Sequence, residues 1–261
     1  HLTEAERVLK VLEAGVDQFG GESCPEHVVA LVKAGRLSQE RLDRSVRRLL
    51  RLKFQLGLFD NPFVDEELVP HIMGNPVASA AGADAQKRAM TLLKNEGGVL
   101  PLIGEKKIYV KNVDPAIAAQ YAQVVATPAE ADFAILRLDT PWVPVETDNG
   151  FARSFHHGDL DFKGEAKAEI LRLLAEVPTI VVIYLDRPAV IPEISAAAQA
   201  LLADYGASDR AVLEVLFGRA RPEGRLPFEL PRSMEAVREQ RSDMPHDSQD
   251  PLYPYGFGLR Y

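Results

Sequence analysis

Four stretches of the chain are apolar at consecutive positions rather than alternate ones: KIYVKNV (Lys107 to Val113), FAILRLD (Phe133 to Asp139), TIVVIYLD (Thr179 to Asp186) and QALLADY (Gln199 to Tyr205). A strand with one face in water alternates apolar and polar residues, so an unbroken apolar run marks a strand covered on both faces. Helical patterns lie between the runs, over residues 115–125, 163–176 and 187–195, and another over 208–217 follows the last. Strand, helix, strand in repetition predicts right-handed crossovers and a parallel sheet sandwiched by helices. Ligands of such sheets sit outside the carboxyl ends of the strands.

The region before the first run has a different character. Residues 1–58 hold three helical patterns, Thr3 to Ala14, Pro25 to Ala34 and Ser38 to Leu56, the last opened by the N-cap Ser38 and stopped by Gly57. The first pattern already starts inside an amphipathic element without an initiator methionine, as a piece of a longer protein would. Prolines 62, 70 and 76 and the Asp60-Asn61-Pro62 turn signal mark a linker after it. A further helix is expected from Ser79 to Lys94, leading into Gly97-Gly98 and Leu100-Pro101.

Hydrophobic residues make up 46% and charged residues 26% of the 261, values of an ordinary globular chain. The formal net charge of −8 argues against a nucleic-acid partner, which needs a basic surface. The basic run Arg41 to Lys53 does not reverse this. Leu42, Val46, Leu49 and Leu50 form a helical stripe there, and the arginines are expected on the solvated face. No apolar run reaches the roughly 18 residues that a membrane span needs, and no signal peptide is visible. Cys24 is the single cysteine, which rules out an internal disulfide and a multi-cysteine metal site. GxGxxG, GxxxxGK[ST], GxSxG and HExxH are absent, so neither a nucleotide nor a hydrolase-elbow reading has an anchor.

The second apolar run ends at Asp139 in TPWVPVETDNGFARSFHHGDLDF, Thr140 to Phe162. Two prolines, the single tryptophan, paired histidines and several acids share this segment. His156, His157, Asp159 and Asp161 read as ordinary loop polarity better than as a metal cluster, because adjacent histidines point apart in an extended chain. Glu146, Asp148, Asp159 and Asp161 are carboxyls close to Trp142, and an apolar neighbour such as Trp142, Phe151 or Phe155 raises a carboxyl pKa as general acid catalysis requires.

Several segments together resemble glycoside hydrolase family 3, the β-glucosidase-like enzymes: LEAGVDQFGGE (Leu12 to Glu22), AGRLSQERLDRSVRRLLRLKFQLGLFDNPFVD (Ala34 to Asp65), AMTLLKNEGGVLPL (Ala89 to Leu102), GRARPEGRLPFELP (Gly218 to Pro231) and PLYPYGFGLRY (Pro251 to Tyr261). The resemblance implies a doubly wound, mainly parallel (α/β)6-type sandwich domain over 79–261. It also implies an interdomain linker over 59–78 and, over 1–58, the last helices of an incomplete (β/α)8 barrel. It implies a retaining exo-acting β-glycosidase, most simply a β-glucosidase, with β-xylosidase, N-acetylglucosaminidase or a non-catalytic carbohydrate-binding subunit as alternatives. The nucleophilic aspartate would lie upstream, so the partners implied are the amino-terminal half of the same enzyme and a β-glucoside or oligosaccharide. No cofactor, metal, nucleic acid or membrane is implied, a homo-oligomer is left open, and the compartment is unassigned between cytoplasm and periplasm or secretion.

The family's acid/base glutamate lies in a loop comparable to residues 140–162, although the glutamate-rich context is not reproduced. Glu146, the one glutamate of the stretch, is the candidate acid/base, with Glu165 behind it. Asp159 paired with His156 or His157 is the third option for proton transfer, since a carboxylate holds an imidazole in one tautomer. Asp17, Trp142, His156 and Arg153 are the candidate substrate-binding residues, Asp17 because the AG-x-D segment would place it near the end of a barrel strand. Pro222, Gly224 and Pro227 are read as setting turns, and Tyr253, Tyr255 and Phe257 as packing a carboxyl-terminal strand.

Overall fold

The computed structural model describes residues 2–21, 23–148 and 150–261. The chain divides into two compact units, 1–73 and 74–261.

In the first unit, helix α1 (Glu4–Glu13) starts at Thr3, whose hydroxyl accepts from the Glu6 N–H while Glu6 bonds back to the Thr3 N–H. Helices α2 (Pro25–Lys33) and α3 (Gln39–Gln55) follow, then a short α4 (Val69–Ile72). Val8, Leu12, Cys24, Leu31 and Leu37 form the small core. Helix α3 meets the sequence expectation only in part. Val46 and Leu50 of its apolar stripe are exposed, whereas Ser45 is buried and Arg41 donates to the Leu12 and Val16 carbonyls. Arg44, Arg47, Arg48 and Arg51 are exposed as expected, and it is Arg41 and Ser45 that turn inward to hold the 12–17 turn.

The second unit begins with α5 (Pro76–Ala89) and contains one six-stranded sheet: β1 (Thr91–Asn95), β2 (Lys107–Lys111), β3 (Gln123–Val124), β4 (Phe133–Asp139), β5 (Thr179–Tyr184) and β6 (Ala200–Asp204). Its order is β1-β6-β5-β4-β2-β3, parallel throughout except for β1 against β6. Between the strands lie α6 (Pro115–Ala118), α7 (Gly164–Glu176) and α8 (Pro192–Ala197), and α9 (Asp209–Leu216) and α10 (Met234–Glu239) come after β6.

The unbroken apolar runs are explained by the two cores. On β5, Val181 and Ile183 enter one core with α7 and α8, while Ile180 and Val182 enter the other with α9. On β6, Leu201 and Ala203 face the first core and Ala200 and Leu202 the second. Each fully buried aliphatic chain contributes about 1.5–3 kcal/mol of transfer free energy, so both helical layers are held to the sheet.

Two strands depart from the expected elements. The helix expected to Lys94 ends at Ala89, because Met90 to Leu93 is almost wholly buried and continues as β1 on the free edge of β6. The short β3 interrupts the helix expected over residues 115–125 and pairs with β2. The carboxyl-terminal residues form no full strand. Leu259 bridges Leu92 and Tyr253 bridges Leu230, singly. Gly224 also has a different task from turning the chain. A Cβ there would lie 2.0 Å from the Ala89 carbonyl oxygen and 2.7 Å from that of Met90, so a bare backbone is required at the start of β1.

Candidate functional site

From β2 the chain moves outward to β3, then returns past β2 to β4 and continues to β5 and β6. Successive connections leave β2 and β4 in opposite directions, which opens a crevice at their carboxyl ends. Thr140 to Phe162 starts at that point. The order of the sheet therefore puts the segment singled out by composition at the topological switch.

The segment is a closed hairpin. Val143 N–H donates to the His157 carbonyl at 2.8 Å and His157 N–H to the Val143 carbonyl at 3.3 Å. Gly158 sits at φ +89°, and a Cβ there would come 2.7 Å from Val143 Cγ2, so both the conformation and the space demand glycine. At its tip Ala152–Ser154 forms one helical turn, with Phe151 and Phe155 edge to face at 5.2 Å.

The base of the hairpin is gripped from the end of β5. Arg187 Nη2 donates to the Gly158 and Asp159 carbonyls at 2.6 and 2.9 Å. Thr140, buried, donates its hydroxyl to the Tyr184 and Arg187 carbonyls at 3.0 and 3.2 Å. Val190 N–H adds a bond to the Leu160 carbonyl at 3.0 Å. An irregular segment is thus tied to a rigid strand end at both of its ends.

The candidate residues separate by what they touch. Trp142 and His156 stack, ring centres 4.0 Å apart and 13° from coplanar. The carboxylate that holds His156 Nδ1 is Asp186, not Asp159. Asp159 is ion-paired with Lys163 and, at 3.5 Å, Arg238. The Lys163 hydrogen bond holds its carboxyl below the ordinary aspartate range. His157 Nε2 lies 2.9 Å from the Pro144 carbonyl, an arrangement in which that nitrogen is the donor. Glu146 and Arg153 are exposed, and neither forms a hydrogen bond or ion pair with any described residue. Glu165 lies in the first turn of α7 and is also exposed.

Asp17 belongs to the first unit. Ser45 donates to its Oδ1 at 2.6 Å and Arg48 reaches both oxygens at 3.1–3.2 Å, and the Ser45 bond before all else keeps its pKa low. Sequence reasoning missed Asp186 and Arg187, because Asp186 closes an apolar run and its partner is remote in the chain. A polar pair directly after such a run is the one signal that could have found them.

Residues 109–261 match the model of the glycosyl hydrolase family 3 C-terminal domain. The chain belongs to glycosyl hydrolase family 3. It is 48% identical to beta-glucosidase C of Emericella nidulans over all of its own length and 43% of that protein's. It is 40% identical to a periplasmic beta-glucosidase/beta-xylosidase of Dickeya chrysanthemi, over 99% of its own length and 40% of that protein's. The chain thus spans about two fifths of the length of these curated relatives. A Listeria innocua beta-glucosidase solved in complex with glucose shares the fold, with a TM-score of 0.68 at 23% identity over 98% of this chain and 44% of that one. Family 3 membership agrees with the (α/β)-type sandwich seen in the second unit.

Proposed function

We propose that this chain is the carboxyl-terminal part of a retaining exo-acting β-glucosidase and that its hairpin of residues 140–162 supplies the acid/base to a nucleophilic aspartate held outside these 261 residues. The single observation that carries the reading is the position of the hairpin, a tethered loop bearing an unengaged carboxyl at the switch point of a family 3 sheet. Residues 1–58 are then the last part of the nucleophile-bearing domain and 59–78 the connection between the two.

In retaining hydrolysis one carboxyl protonates the leaving oxygen while the other attacks the anomeric carbon. The first then removes a proton from the water that releases the sugar, with the two groups about 5 to 5.5 Å apart. Among the carboxyls of the hairpin, Glu146 and Asp148 are both exposed and pair with no described residue, and Glu146 is the one that matches the glutamate of the family resemblance. A group that must give and retake a proton cannot be committed to a cation, and Asp159 is committed to Lys163 and Arg238. His157 is likewise engaged with the Pro144 carbonyl. Glu146 is exposed and bound to no described residue, so it can meet a substrate oxygen. Trp142 offers a flat apolar face for a pyranose ring, with Arg153 on the same hairpin to donate to a hydroxyl and the His156 ring beside the indole. Asp17, held by Ser45 and Arg48, remains ionised for a sugar hydroxyl.

The test is turnover of an aryl β-glucoside by the whole protein before and after Glu146→Gln. A loss of kcat by about 10²–10⁴ is expected, with partial rescue by a small external nucleophile that needs no base catalysis. Unchanged turnover would remove Glu146 from the role, and a parent without turnover would leave a carbohydrate-binding subunit instead. Aryl β-xyloside run in parallel answers the double name of the Dickeya relative.

A further inference from the structure

Trp142 is the only tryptophan of the chain, and one face of its indole is covered by the His156 imidazole at 4.0 Å. The residue is nevertheless 43% exposed, so the stack does not seal it from a ligand. What orients the covering imidazole lies outside the hairpin. His156 Nδ1 is bonded to Asp186 Oδ2, and Asp186 stands just beyond the end of β5, its side chain 20% exposed. The neighbouring Arg187 grips the Gly158 and Asp159 carbonyls, and Thr140 ties the other end of the hairpin to Tyr184 and Arg187. Asp186 is therefore fixed to the sheet rather than carried by the loop whose ring it orients.

We infer that Asp186 is a positioning residue: through His156 it sets the plane of the Trp142 indole, and so the angle at which the indole meets a sugar ring. The chain of contacts is short and directional. A carboxylate accepting from Nδ1–H fixes the tautomer and the rotation of the imidazole. A stacked, nearly coplanar imidazole then leaves the indole little freedom to tilt without losing the contact. Neither Asp186 nor His156 needs to touch the reacting atoms for this. His157, next in sequence, cannot substitute, since its ring is turned to the Pro144 carbonyl. Asp159 cannot either, being bound to Lys163 and Arg238. The inference rests on the reading of the hairpin as the sugar-facing loop of a β-glucosidase, and it adds the residue that makes the platform rigid before a sugar arrives.

The experiment labels the whole protein with 5-fluorotryptophan, assigns the Trp142 fluorine resonance by its absence in Trp142→Phe, and compares Asp186→Ala with Asp186→Asn. In Asp186→Ala the resonance is expected to move and broaden without sugar present. The KM for an aryl β-glucoside is expected to rise about three- to tenfold while kcat stays within about twofold, the pattern of lost positioning in both ground and transition states. Asp186→Asn, whose carboxamide oxygen still accepts from Nδ1–H, is expected to keep both the resonance and the KM. An unmoved resonance or an unchanged KM in Asp186→Ala overturns the inference, as does an equal loss in Asp186→Asn, which would mean charge rather than orientation. A melting temperature within a few degrees of the parent confirms that the variants are folded. If the resonance responds but the parent hydrolyses nothing, the glucosidase reading fails and the Asp186–His156–Trp142 relay stands.

Discussion

In the hairpin of residues 140–162, Trp142, Phe151 and Phe155 are exposed and Glu146 bonds to no described residue. In the closing stretch 218–231, Leu226 and Leu230 are sealed, Glu229 is buried against the Ser248 N–H and Gln240, and Gly224 lies against bare backbone. Both stretches are irregular and rich in proline, glycine and acids. The difference is where the large side chains go. The hairpin is held at its rims by Arg187, Thr140 and the Val143–His157 pair, and Trp142, Phe151 and Phe155 stay outside any core. The closing stretch is tied by its main chain, with the Glu223, Gly224, Leu226 and Leu230 N–H groups donating to the Arg88, Met90, Phe257 and Tyr253 carbonyls, and it sends Leu226 and Leu230 into the core. Motif density by itself does not distinguish a site from a fold staple, whereas the burial of the large side chains does.

The comparison can be broken by substitution. The largest effect is expected at Gly224→Ala. The new methyl would have to displace the Ala89 and Met90 carbonyls from the first residues of β1, and overlap of this kind exceeds the 1–3 kcal/mol typical of overpacking, by roughly the same amount again. Denaturant melts should show loss of the folded state or a drop above about 4 kcal/mol, and a near-native melt would mean that the approach is not tight. Leu230→Ala should cost about 2–5 kcal/mol in the same assay, because its side chain is fully buried in the core that also takes Leu226.

Gly158→Ala sharpens the other side. A positive φ and a 2.7 Å approach to Val143 predict about 1–3 kcal/mol of local strain. Because the hairpin is tethered rather than packed, the loss should appear as a raised KM and faster proteolysis at 143–158, with little change in the global melt. A fall in Tm as large as that of Leu230→Ala would erase the distinction between the two regions. The smallest effect is expected from Asp159→Asn. The folded carboxyl has a lowered pKa, so its contribution is complete above the unfolded value of about 3.9 and fades as pH falls through the folded one. Variant and parent should therefore differ slightly at pH 7 and converge in acid. A difference that grows on acidification would reverse the sign of this assignment.

Much of the sheet is legible in the sequence because strands buried on both faces must be apolar at every position, as Ile180 to Ile183 are. The strand Thr91–Asn95 is not, since Met-Thr-Leu-Leu directly after a helix carries the same apolar content in either conformation. Only the vacant edge of β6 decides it. The hairpin is legible as a place, through its proline, tryptophan and histidine content after a strand end. Its internal pairing is not, because His156 could take Asp159 or Asp186 on composition alone, and what selects Asp186 is the packing of β5 beside β4. The solvated face of α3 is legible in Arg44, Arg47 and Arg51, whereas the inward turn of Arg41 is not, for a related reason. Arg41 and Ser45 are needed by the Leu12 to Asp17 turn, a tertiary demand that periodicity does not encode.

The antiparallel pairing of β1 with β6 joins segments about a hundred positions apart, Thr91 against Ala203 and Asn95 against Ala200. During synthesis, then, Met90 to Leu93 leaves the ribosome long before its partner exists, an apolar segment waiting while every other strand of the sheet is made. Pulse-labelled hydrogen exchange should find the Leu92 and Leu93 amides protected last, and their early protection would refute this order. A chaperone or a neighbouring chain has that interval in which to bind it.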